Sequence, residues 1–115
     1  MKISFEGIGQ TVATFECAAA LTKGVPVKLS DNGKVAACSA DDLFVGITAG
    51  PTDGGTIAVV LRGYVKATYT GTAPTVATEA VCAAGSGKVK VASTGGRAVT
   101  VIDVNTTDKI VGLFI

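Results

Sequence analysis

The stretch from Gly55 to Tyr69, GTIAVVLRGYVKATY, constrains the fold more than any other part of the chain. Ile57, Val59 and Leu61 alternate with Ala58, Val60 and Arg62. That period of two belongs to a strand with one buried face. Gly63 interrupts the run, and Tyr64, Val65, Ala67 and Tyr69 continue it. A glycine inside a strand pattern marks a bulge or bend, so two strands hinged at Gly63 are expected.

The flanking segments repeat one another. Val27, Gly33-Lys34-Val35 and Val45-Gly46-Ile47 follow in order in the first half. Val81, Gly87-Lys88-Val89 and Val111-Gly112-Leu113 follow in the second, where Arg97 to Val104 reads as an inserted strand. The clearest hairpin joins Val25–Leu29 to Val35–Cys38 through Asn32-Gly33, a pair suited to the positive φ of a tight turn. Pro26 cannot donate a ladder hydrogen bond, which places its strand at an edge or makes it a strand start. Cys17 to Leu21 is open between a short helical turn and β or loop structure. Thr70 to Thr78, TGTAPTVAT, reads as a surface loop between the two halves.

About ten short strands are expected, in an all-β fold that is a small barrel or sandwich. At 115 residues this is a single domain. It divides into an N-terminal arm and first strand (1–16), a first β-unit with the central strands (17–69), and a second β-unit (70–115). Aromatics make up only 5%, so the core is built from alanine and valine and is thin. Oligomerisation would help to stabilise it.

The net charge is +1 and the basic residues are scattered, which argues against a nucleic-acid or anionic membrane surface. Lys2, Lys28, Lys34, Lys66, Lys88 and Lys90 read as solvated strand positions. Cys17, Cys38 and Cys82 lie among apolar neighbours without a CxxC pair, so buried reduced thiols are expected rather than a disulfide or zinc site. The N-terminus lacks the apolar run of a signal peptide, and no stretch reaches the length of a membrane span. A soluble protein made in the cytoplasm is expected.

Catalytic chemistry finds little support. There is no histidine, which removes the commonest general base near neutral pH. Asp41-Asp42 is the one acidic pair, and no further acid falls at a cation-loop spacing, so it reads as a solvated loop leading into Leu43. Gly85-Ser86-Gly87-Lys88 lacks the first glycine of a phosphate loop and the Ser or Thr after the lysine. Lys88 and Lys90 sit beside that glycine turn rather than at its tip, unlike the modified lysine of a carrier domain. No catalytic, cofactor-binding or metal-ligating residue is assigned, and no small-molecule ligand is expected.

Lys23-Gly24-Val25-Pro26-Val27, Asn32-Gly33-Lys34-Val35, Phe44-Val45-Gly46-Ile47-Thr48 and Gly55 to Val65 together resemble the capsid cement, or head decoration, proteins of tailed bacteriophages. The second round, Gly87-Lys88-Val89 and Val111-Gly112-Leu113, extends the resemblance over nearly the whole chain. It departs at Ala77 to Val81, where a Gly-Asp-x-Val strand start is usual. The resemblance implies a non-enzymatic β-barrel protein that binds the outer face of the capsid, with the major capsid protein as partner. It also implies a homotrimer, a place on the virion surface, and capsid or subunit contacts from the arm. Lys2, Ile3, Phe5 and Ile8 are the candidate contacts. A tail, head-fibre or glycan-binding β-domain is the alternative, and an aromatic content of 5% with no tryptophan counts against glycan binding.

Overall fold

The computed structural model describes residues 10–115, and the arm positions Lys2, Ile3, Phe5 and Ile8 lie outside them. The fold is all-β, with ten strands and no helix among the described residues. The strands are β1 (Thr11–Cys17), β2 (Pro26–Asp31), β3 (Lys34–Ala37), β4 (Gly46–Thr48) and β5 (Thr56–Arg62). They continue as β6 (Tyr64–Thr68), β7 (Ala77–Gly85), β8 (Lys88–Val91), β9 (Arg97–Asn105) and β10 (Ile110–Phe114).

The first five strands close a barrel in the order β1-β3-β2-β4-β5. β1 and β5 run antiparallel, β1 and β3 parallel, and the remaining pairs antiparallel. The last five form a sheet in the order β6-β10-β9-β7-β8. Its plan is that of the first barrel, strand for strand. β6 is antiparallel to β10, as β1 is to β5, and a parallel bridge between Tyr69 and Val89 brings β8 back to the end of β6. The β2–β3 and β7–β8 hairpins share even their register shift, Leu29↔Val35 then Asp31↔Lys34 against Ala83↔Val89 then Gly85↔Lys88. The bond from Cys17 N–H to the Gly55 carbonyl has its counterpart from Tyr69 N–H to the Lys109 carbonyl, both 2.9 Å.

The duplication sharpens the sequence repeat and corrects it. Val81, Gly87 and Val89 do take the places of Val27, Gly33 and Val35. Val111-Gly112-Leu113 does not correspond to Val45-Gly46-Ile47. It lies in β10, the counterpart of β5, whereas Val45-Gly46-Ile47 leads into β4, the counterpart of β9. The strand from Arg97 onward is therefore no insertion. β4 is three residues long and β9 is nine, and this inequality disguises their equivalence in sequence.

The change from one sheet to the other falls at Gly63, with φ +122°. β6 hydrogen-bonds into the second sheet, so residues 69–76 connect β6 to β7 within one unit, and Ala77 and Thr78, read as loop, already belong to β7. A left-handed residue is needed where the strand turns out of one sheet into the next, and glycine meets that need without a Cβ penalty. The peptide is held by reciprocal bonds between Gly63 and Ile115, at 3.0 and 3.4 Å.

β5 serves two cores. Ile57 and Val59 fill the first barrel with Cys17, Val27 and Val35, and Leu61 packs on that cluster half-buried. Val60 points the other way, into a larger core with Phe44, Ile47, Val101, Val111 and Leu113. The alternation is therefore real, but both faces of β5 are covered. Cys17 ends β1 and no helix follows it. Thr48, the one buried polar side chain among the described residues, donates from Oγ1 to the Thr22 carbonyl at 2.6 Å and accepts from Val25 N–H at 2.9 Å. Burial without an unmet hydrogen bond is what such a hydroxyl requires.

Candidate functional site

The Asp41-Asp42 loop is solvent-exposed at Asp41, as read, and its two carboxylates also pair with lysines. Asp42 Oδ2 accepts from Lys28 Nζ at 2.7 Å and from the Ser39 amide at 2.8 Å. Asp41 pairs with Lys90 at 2.5 Å, and its amide donates to the Ala83 carbonyl. Adjacent carboxylates thus hold a lysine from each sheet. Lys28 and Lys90, read as solvated strand positions, lie partly exposed on β2 and β8 and are ion-paired as well. The bonds to Lys28 and Ser39 hold the Asp42 carboxyl below its usual range. Among the described residues no group of acids, cysteines or histidines could hold a metal ion.

Cys17, Cys38 and Cys82 are buried thiols. Burial first, and then the Asp42 carboxylate, push the Cys38 thiol up from 9.0 to about 11. A prediction with a definite sign follows. Between those two values an unfolded chain sheds a proton that the folded chain keeps, so stability is full below pH 9 and falls as pH rises toward 11. Urea midpoints at pH 8 and pH 10 should show this loss. Cys38→Ala should reduce it, and an undiminished alkaline loss in that variant would assign it to other groups.

Depressions mark the surface among the described residues. A groove of about 640 Å³ runs between the units, past Gln10, Lys23, Thr48, Tyr64, Lys66 and Ile110. The described chain starts here: Gln10 Nε2 donates to the Tyr64 carbonyl at 3.1 Å and packs on Gly63. Residues 1–9, with the candidate contacts Lys2, Ile3, Phe5 and Ile8, precede this point.

The second depression is a hollow of about 500 Å³ lined by Leu43, Phe44, Val45, Leu61, Arg62 and Arg97. Arg62 and Arg97 are the chain's two arginines, and the fold brings both to this spot. Arg97 opens β9 and reaches across to the first barrel. Its Nη1 donates to the carbonyls of Phe44 (3.2 Å) and Val45 (2.8 Å), and its Nη2 to that of Leu61 (3.2 Å). The guanidinium carbon stands 5.5 Å from the centre of the Phe44 ring. Burial, and then the Arg62 charge, lower its affinity for the proton. Arg62 ends β5, exposed. Neither arginine meets a carboxylate among the described residues. Leu43, at the rim, is 59% exposed.

Sequence reasoning passed over this cluster. Its signal was available: the chain carries eight lysines and two arginines, and arginine is the side chain suited to forked, partly desolvated contacts. Phe44 lies in the core and also carries the Arg97 contact.

No protein-family model matches the chain, and no curated protein matches it. Among solved structures, the chain is similar to the head fiber gp8.5 N base of bacteriophage phi29. The TM-score is 0.66 at 10% sequence identity, over 92% of this chain and 93% of that one. The two share a fold over most of their length.

Proposed function

We propose that this chain is a structural component of a tailed-phage virion, seated on the head as the base of a fibre or similar projection. The observation that carries this reading is the end-to-end likeness to a head-fibre base at a TM-score of 0.66. The covered portions are nearly complete on both sides, so the likeness concerns a whole module, not one shared hairpin. The ion-paired acids and carbonyl-bound Arg97 suit a protein that works by holding a shape. A non-enzymatic role, attachment to the major capsid protein and assembly as a homotrimer belong to the same proposal.

The second reading, a decoration protein that reinforces the shell, rests on the glycine and valine pattern from Lys23 to Val65. The fibre base is preferred because its supporting likeness extends over the entire fold. Both readings put the chain on the head, and one experiment separates them from the tail alternative. Purified chain is incubated with heads lacking it, pelleted, and imaged with gold-labelled antibody on intact virions. Saturable co-pelleting and label on heads are expected. Label confined to tails, or no pelleting, would overturn the proposal. Occupancy then divides the two: full coverage of the shell favours decoration, and a few sites per head favour a fibre base. Light scattering is expected to give a trimer mass.

A further inference from the structure

We propose that the hollow between Leu43, Arg62 and Arg97 is a docking site for an acidic side chain flanked by an aliphatic one on a protein partner. Three observations meet there. Both arginines of the chain line it, one from each unit, and no carboxylate among the described residues neutralises them. Elsewhere the chain pairs basic groups that come close to acids, as with Lys28–Asp42 and Lys90–Asp41. Leu43 at the rim is the most exposed of the large apolar side chains among the described residues, and Phe44 and Leu61 also line the hollow.

Like charges brought together without a counter-ion favour an incoming anion. Arg97 is already spent on three carbonyls, which fix its plane. Arg62, on the exposed end of β5, meets no carboxylate among the described residues. Arginine beside an apolar wall is the usual composition of an energetic anchor at a protein interface. The same features disfavour nucleic acid. Two cations do not follow a phosphate backbone, and the remaining basic residues are scattered. The occupant is therefore a carboxylate with an aliphatic neighbour, and under the function proposed above it belongs to the head surface.

The test has two arms, the first independent of that function. Isotope-labelled chain is titrated with N-acetyl-glutamyl-leucine amide, and the backbone signal of Leu43 and the Nε–H signals of Arg62 and Arg97 are followed. Saturable shifts at all three are expected, with binding about ten-fold weaker for the glutaminyl analogue and for Arg62→Ala. No shift, or equal shifts with the glutaminyl analogue, overturns the site. A short single-stranded oligonucleotide that moves the same signals at lower concentration overturns the choice of protein as occupant.

In the second arm, Arg62→Glu and Leu43→Asp are assayed for pelleting with heads. Both positions are exposed, so unfolding midpoints should stay within error of the parent chain. Loss of pelleting by at least ten-fold is expected. If the parent chain pellets and both variants do too, the hollow is not the docking site, although the head assignment stands. If the parent chain fails to pellet, the head assignment fails, and the dipeptide titration decides the site. If Arg62→Glu abolishes self-association instead, the occupant is a second copy and the proposal is overturned.

Discussion

Leu113→Ala is expected to lower the free energy of unfolding by about 2–5 kcal/mol. Leu113 sits in β10 with no exposed surface, packed among the residues that join the second sheet to the outer face of the first barrel. Its removal deletes apolar contact and leaves a cavity that strands paired on both sides cannot collapse to fill. The core has little in reserve, since it consists mostly of valine and alanine. Domains of this size are stable by roughly 5–15 kcal/mol in total, so one substitution could use much of the margin. Denaturant unfolding measures the change. Leu43→Ala is the internal control, because that side chain is already mostly in water, and its midpoint should barely move. Similar losses for the two would mean that burial at β10 is not what holds the units together.

Gly46→Ala is expected to cost about 1–3 kcal/mol, for the opposite reason. A Cβ at this position would press against the Val60 carbonyl oxygen and lie 2.7 Å from Val59 Cγ1. The obstacle is backbone, which cannot rotate aside as a side-chain tip can. Relief requires β4 to part from β5, and β4 has only three residues with which to hold on. Faster amide exchange at Ile47 and Val60 should accompany the lower stability. Gly50→Ala provides the contrast: nothing lies within 4 Å of its Cβ and its φ is not positive. That substitution should be neutral or stabilise by up to about 1 kcal/mol, by restricting the unfolded chain.

The same pair of ideas, burial and close approach, explains what could be read in the sequence. The β2–β3 hairpin was legible because its cause is local. Gly33 sits at φ +67°, as the turn demands, and Pro26 is the first residue of its strand. The bend at Gly63 was legible for the same reason. Barrel closure was not, because the β1–β5 and β1–β3 pairings join residues far apart and leave no nearby mark. The two Val-Gly-aliphatic triplets misled because glycine can be required for unrelated reasons. Gly46 makes room for a neighbouring strand, whereas Gly112 makes room for the Tyr64 hydroxyl and the Asp103 carboxylate, which bond at 3.0 Å. Likewise Arg62 looked like the polar face of a strand, and only the reach of Arg97 from the start of β9 to the Leu61 carbonyl shows that the two arginines share a hollow. The arm residues Lys2, Ile3, Phe5 and Ile8 stand outside the described structure, and their contact role belongs to the proposal.

The duplicated plan has a consequence for how the chain is made. Every strand of the first barrel lies upstream of Gly63, so that barrel can close while the second unit is still being synthesised. Phe44, Ile47 and Val60 face away from its interior, and residues of β6 to β10 complete their cover. At ordinary rates of translation this greasy flank stays wet for a few seconds. A nascent chain paused there would display an apolar surface to every other such chain on the same message. Arrival of the second unit removes the hazard, and Arg97, among its last strands, locks the flank shut through the carbonyls of Phe44, Val45 and Leu61.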